Sequence, residues 1–338
     1  MNIVTLGNGT GQATLLYGLR TYACEVTAIV GVTDNGGHSG QLRRLLHVPQ
    51  VGDTRQCLSA LLDAESVWGY LLGHRFSAGE LRGMSVGNLM LAALAQRHGS
   101  LHAAVEDVRQ VTGLRQRVFP VSDGETHIGA ELEDGRCIIG EWEIMRRQPQ
   151  TPIVRLFLDP PVAAHPAVLE AMARADLFVI CPGSLLTGTI GVLLHPGVRE
   201  ALTASQAPCI YVCNLMTQPG QTDGYTVRRH LTVLTAYLGR HVEAVVLNNG
   251  PLPDAIRAIY AQHGSYPVVH DLTVADMPLY YADLVARPDA ATLHTYTRPQ
   301  GPGMDVGLHL MRHDPGRLAA QIMAIAAEAP ARSEKGQG

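Results

Sequence analysis

Met1-Asn-Ile-Val-Thr-Leu-Gly7-Asn8-Gly9-Thr10-Gly11 is a short apolar strand running into a glycine-rich turn. Residues 12–19 follow as a helix with Ala13, Leu15, Leu16 and Leu19 apolar. A strand, a glycine turn and a helix in that order gather unpaired backbone N–H groups and the positive end of a helix at one point. That is an anion site, usually for phosphate. Glycine serves there because a Cβ would hold the backbone away from the ligand or forbid the turn. The spacing is GxGxG, so it is not the dinucleotide fingerprint GxGxxG. Nor is it a P-loop, which needs Gly-Lys-Ser/Thr. Lys335 is the only lysine, so 25 of the 26 basic residues are arginine and no P-loop or Schiff-base lysine lies in the folded body.

Working outward, apolar β-rich runs recur at 3–6, 26–33, 178–181, 210–214 and 242–248, most of them leading into a polar or glycine turn and then a helix. This is the rhythm of a parallel sheet covered on both faces. Ligands of such sheets bind beyond the carboxyl ends of the strands, so the residues just after each strand are the candidates. The middle breaks the rhythm. Stretches 118–121, 127–133, 136–144 and 153–159 read as strands with little helix between them, and Asp134-Gly135 as a hairpin turn. A small antiparallel extension of the sheet is expected there. The chain is read as one nucleotide-binding domain over 1–328, with a helix at 315–328 capped by Asp314 and a disordered polar tail at 329–338.

With the glycine turn, four strand-end loops carry polar chemistry. Asp34 is followed by Asn35, Gly36, Gly37 and His38, which suits a second phosphate or metal loop with Asp34 as a hard ligand or base. His38 is a candidate general base at neutral pH. Asp53 reads as a helix N-cap, and Ser85 to Asn88 open another helix with small residues. Gly183 and Ser184, then Asn214, Thr217 and Asp223, supply N–H, hydroxyl, amide and carboxylate groups after the later strands.

Taken in order, these loops resemble the family that holds the 2-phospho-L-lactate transferases (CofD) and the bacterial gluconeogenesis factors (YvcK). The resemblance rests on Gly7-Asn-Gly-Thr-Gly11, Thr33-Asp-Asn-Gly-Gly-His-Ser-Gly-Gln-Leu-Arg43, Gly52-Asp-Thr-Arg55 and Ser85-Val-Gly-Asn-Leu89. It continues in Pro182-Gly-Ser-Leu185, Cys213-Asn-Leu-Met-Thr-Gln-Pro-Gly220, Thr222-Asp223 and Arg312-His-Asp314. The stretch from Asn214 to Gly220 is closer to the YvcK-type branch. The resemblance implies an α/β, Rossmann-like three-layer fold with a mainly parallel sheet, helices on both faces and a small antiparallel extension. It implies a cytoplasmic regulator that binds a UDP-sugar and acts in cell shape and cell-wall formation under gluconeogenic growth. The alternative is a transferase moving a phosphate-linked group from a nucleotide diphosphate donor to a deazaflavin.

By the same resemblance, Thr10 and Asn214 touch the nucleotide sugar, Arg312 lies near its phosphates and Tyr260 makes an aromatic contact. Gly7, Gly9, Gly11, Asp34, Gly36, Gly37, Asp53, Ser85, Asn88, Gly183, Ser184, Thr217 and Asp223 complete the expected binding set. Asp34 and His38 are the only catalytic candidates. No cofactor is required. Mg²⁺ belongs to the transferase reading alone, with Asp34 as its ligand, and the neutral Asn35 beside Asp34 weakens that case. Residues 287–310 read as a long insertion before Arg312.

The composition agrees. A net charge of −4 and pI near 6.4 show no pull toward nucleic acid or an anionic membrane. The longest apolar run, residues 89–95, is far too short to span a bilayer. Six scattered cysteines read as buried reduced thiols. Oligomeric state and protein partners stay open at this stage.

Overall fold

The computed structural model describes residues 1–148, 150–287 and 310–328. Seven strands form one sheet: β1 (Asn2–Gly7), β2 (Glu25–Val30), β3 (Arg117–Pro120), β7 (Leu177–Ile180), β8 (Cys209–Val212), β9 (Ala244–Asn248) and β10 (Leu279–Ala282). Their order is β10-β9-β8-β7-β1-β2-β3 and every pairing is parallel. The chain builds outward from β1 to β3, crosses back, and builds outward the other way from β7. The order therefore reverses between β1 and β7. A crevice opens at such a point because the two following segments leave in opposite directions.

Strand alternation feeds two cores. Ile3, Val26, Ala28, Val30, Val179 and Val212 face one side, where helices Gly9–Leu19, Gly52–Leu61, Val86–His98, Leu101–Thr112 and Pro315–Glu328 pack. Val4, Leu6, Ile29, Phe178, Ile180 and Val245 face the other, against helices Pro166–Ala173, Val198–Ala204 and Val227–Leu238. Central strands buried on both faces need apolar residues at nearly every position, which is why they read as continuous runs. The result is the three-layer α/β arrangement expected. Thr5 and Thr27 are buried polar exceptions, and the Gln12 amide donates to the Thr5 hydroxyl at 3.0 Å and to the Ile29 carbonyl at 3.1 Å.

A second sheet holds β4 (His127–Leu132), β5 (Cys137–Ile139) and β6 (Ile153–Asp159) in the antiparallel order β5-β4-β6. It differs from the sequence reading in three ways. It is a separate sheet, not an extension of the main one. Residues 118–120 belong to β3, paired in parallel with β2. The expected strand over 136–144 stops at Ile139, because Gly140 turns the chain at φ +110° and Glu141–Met145 is a short helix. Glu141 is nearly buried there with its carboxylate accepting from Thr187, so tertiary contacts override a strand-like apolar pattern. The hairpin at Asp134-Gly135 forms as expected, with Gly135 at φ +82°. Asp314 caps the last helix by accepting from the Arg317 amide at 2.9 Å. Of the cysteines, Cys137 is exposed and the other five are buried. The expected tail at 329–338 and nearly all of the 287–310 insertion lie outside the described residues.

Candidate functional site

Beyond the carboxyl ends of β2, β1, β7 and β8 lies a cavity of about 700 Å³, within the usual range of about 300–1,000 Å³ for small-molecule sites. Its floor is the turn between β1 and the helix Gly9–Leu19. Gly9 sits at φ +56°, a conformation only glycine adopts freely. Asn8 stands at the N-cap of that helix without capping it through its side chain, so the first-turn amides of Thr10 and Gly11 are directed at the cavity they line. Gly11 has a different reason from the one its spacing suggests. A Cβ there would stand 1.9 Å from the Pro182 carbonyl oxygen, so the residue lets the β7 turn lie on the start of the helix.

The β7 turn is clamped from the next strand. The Asn214 side chain accepts from the Gly183 amide at 2.8 Å and donates to the Gly183 carbonyl at 2.7 Å. This two-bond amide pair holds Gly183 at φ +152°, at the point where two strand-end loops meet. The first turn of the following π-helical segment Leu185–Thr189 is already capped, because the Leu186 and Thr187 amides both donate to the Gln221 side-chain oxygen Oε1. Of the two helical starts at the switch point, the one at Gly9 is the more open: its first amide is taken by Asp53, and those of Thr10 and Gly11 are left for a ligand.

One wall is acidic. Asp34 accepts from the Gly36 amide at 2.8 Å and from Gln50 at 3.2 Å. Asp53 is half-buried in the first turn of Gly52–Leu61, where Val51 and not Asp53 is the N-cap. It accepts from the Asn8 side chain and the Gly9 amide. Burial, reinforced by the Asp34 charge, pushes the Asp53 carboxyl up to about 7 despite Arg55 nearby. Glu141 is pushed well above the ordinary carboxyl range by burial first and by Asp34 second. Asp53 and Glu141 are therefore both biased toward the protonated form beside Asp34.

Next to Glu141, the same short helix brings a basic and aromatic pair. Arg146 lies 3.7 Å above the Trp142 ring, and both line the cavity with the exposed Arg312. The Tyr260 hydroxyl accepts from the Met311 amide at 2.9 Å and so fixes the segment that carries Arg312.

The structure brings Gly9, Thr10, Gly11, Asp34, Gly36, Gly37, Asp53, Gly183, Ser184, Asn214, Thr217, Tyr260 and Arg312 to this one cavity. It leaves five candidates outside the lining. Gly7 ends β1 against the Cys181 side chain. Ser85 caps the helix Val86–His98, and the Asn88 side chain bridges Arg55 and Ser39. Asp223 accepts from the Gly220 amide at 2.8 Å. His38 packs its ring beside Gly83 and does not reach the cavity, so a general-base role for it has no geometric support. Sequence reasoning missed Glu141 and Trp142, because 136–144 was read as strand, and it also missed Met145, Arg146, Gln56 and His313. A groove of about 750 Å³ lined by Trp68, Met90, Leu94, Val108 and Val111 lies between outer helices. It is apolar and lacks a helix start, so it is no anion site.

The acidic wall does not fit a divalent ion as it stands. Its carboxylate oxygens are already bonded to Gly36, Gln50, Asn8, Gly9 and Thr187. Among the described residues no group of three His, Cys, Asp or Glu is arranged to hold a metal. Among them also, no helix is long and apolar enough to cross a membrane.

This architecture has relatives. A gluconeogenesis factor from Bacillus subtilis is 38% identical over 273 residues, 80% of this chain and 86% of that one. One from Halalkalibacterium halodurans is 39% identical over 276 residues, 80% of this chain and 84% of that one. The crystal structure of a UPF0052 family member from Bacillus halodurans superposes with a TM-score of 0.84 at 34% identity, covering 95% of this chain and 99% of that one. Residues 3–285 match the family described as 2-phospho-L-lactate transferase CofD. The chain belongs to the CofD family, on the side of its gluconeogenesis-factor relatives.

Proposed function

We propose that this chain is a cytoplasmic regulator that binds a nucleotide sugar of the UDP-sugar type at the switch-point cavity. In this reading it acts in cell-shape and cell-wall control under gluconeogenic growth. The observation that carries the binding reading is the open start of the helix Gly9–Leu19 in a cavity that also presents Arg146 and Arg312. N–H groups and guanidinium ions lining one cavity suit a diphosphate. The apolar far wall, with Leu215, Met216, Tyr260 and Met311, suits a base. The name printed for the relatives, gluconeogenesis factor, supports the link to gluconeogenic growth. The transferase reading needs a cation to offset charge on the leaving diphosphate. The acidic wall is committed to protein donors and protonated in part, which favours binding without turnover and without a divalent metal.

Thermal-shift measurement tests this. A UDP-sugar at 100 times its dissociation constant is expected to add roughly 2.7 kcal/mol of stability, and NAD none. A clear shift with NAD and none with any UDP-sugar contradicts the reading. Release of GMP from a GDP-linked phospholactate donor with deazaflavin and Mg²⁺, abolished by Asp34→Ala, moves the transferase ahead.

A further inference from the structure

The cavity wall beyond β8 is built from one buried apolar cluster that includes Leu215, Met216, Tyr260 and Met311. One polar side chain interrupts it. His313 is 6% exposed and lines the cavity. Its ring is hydrogen-bonded to the Cys213 backbone, at the end of β8, and its Nε2 has no partner among the described residues. The Cys213 group is a carbonyl acceptor, so Nδ1 carries the ring proton and Nε2 presents a lone pair. Burial lowers the His313 pKa to about 4, so the ring is neutral at physiological pH and this tautomer persists. An imidazole held in this way accepts a hydrogen bond and cannot donate one through Nε2. Buried polar atoms normally have partners, and one left bare costs roughly 1–3 kcal/mol. A ligand N–H removes that cost. A phosphate oxygen does not, because it would set acceptor against acceptor.

We propose that His313 is a specificity-determining residue of the nucleotide site, accepting through Nε2 the ring N–H of a base seated against the Leu215–Met311 wall. The inference rests on the nucleotide-sugar reading above and deepens it. It selects bases whose hydrogen-bonding edge carries a ring N–H, as uracil and guanine do. It rejects cytosine and adenine, whose ring nitrogen there is itself an acceptor. A site that hydrogen-bonds a donor discriminates strongly against the analogue lacking it, because its own polar group is then left unpaired.

Titration calorimetry with UDP and CDP on the full chain tests it. Wild type is expected to prefer UDP by about tenfold or more, the effect of one such hydrogen bond. His313→Phe keeps a ring but no acceptor and is expected to lose the preference by weakening UDP alone. His313→Gln restores a carbonyl acceptor and is expected to regain part of it, while His313→Leu, which has no acceptor, carries the test if the phenylalanine variant fails to fold. Wild type that binds UDP and CDP equally, or a preference unchanged in a folded variant without an acceptor, overturns the role of His313 and leaves the nucleotide site standing. Wild type that binds neither overturns the nucleotide reading and this inference with it.

Discussion

Gly11→Ala is expected to cost about 3 kcal/mol of stability and to abolish ligand binding. The added Cβ would stand 1.9 Å from the Pro182 carbonyl oxygen and 2.7 Å from its carbon. Neither atom belongs to a flexible side chain, so backbone must move. Overpacking usually costs about 1–3 kcal/mol, and a clash this deep belongs at the top of that range. The turn cannot yield easily, because Asn214 holds Gly183 through two hydrogen bonds. Any movement that relieves the clash separates the β1 and β7 turns and opens the cavity floor. Gly73→Ala is the matched control. Its new Cβ would meet only the Ser59 hydroxyl at 3.6 Å, in the last turn of a helix, and alanine is the better helix former. Urea unfolding of both variants checks the contrast, and equal midpoints would refute the packing role given to Gly11.

Asp53→Asn is expected to stabilise the protein above neutral pH. Burial raises the folded-state carboxyl from 3.8 to about 7. A raised acid means that the folded state holds a proton which the unfolded chain releases. Stability is therefore full below about pH 4 and falls as pH rises from there through 7. At 1.36 kcal/mol per pH unit the whole window is worth roughly 4 kcal/mol. Asp53 is only half-buried, and screening by solvent brings the expected gain nearer 2 kcal/mol. Asparagine keeps a carbonyl oxygen for the Gly9 amide and carries no charge. The difference between variant and wild type should be near zero at pH 4 and largest at pH 8. A difference that is flat with pH would show that Asp53 titrates normally.

The sheet was legible because its central strands are buried on both faces, and their apolar runs need no partner to be recognised. Gly9, Asp34 and Asn214 were legible for a related reason. Parallel strands deliver their following loops to one edge, so residues just after β1, β2 and β8 meet wherever those strands lie in the sheet. The wall carrying Glu141, Trp142 and Arg146 comes from the second sheet, which packs across the cavity without any sequence-local signal. Gly140 was the one available clue, since a glycine inside a strand-like run often ends it. Gly11 was identified for an anion-turn reason and serves a packing one. Asn88 and Ser85 looked like ligand contacts and are bound to Ser39, Arg55 and the helix start. Small polar residues after a turn serve either purpose, and only the neighbouring loop decides which.

Titration calorimetry with UDP-glucose, in the presence of a chelator, tests the central claim most directly when run on wild type, Thr10→Val and Arg312→Ala. Thr10 and Arg312 line the cavity from different elements, one at the helix start and one on the segment fixed by Tyr260. A charge-assisted contact is worth about 1.5–3 kcal/mol. Wild type is expected to bind without metal, and both variants to fold normally and bind roughly tenfold or more weakly. Binding that appears only when divalent metal is restored, or an affinity unchanged in both variants, would contradict a diphosphate held between the Gly9 turn and Arg312.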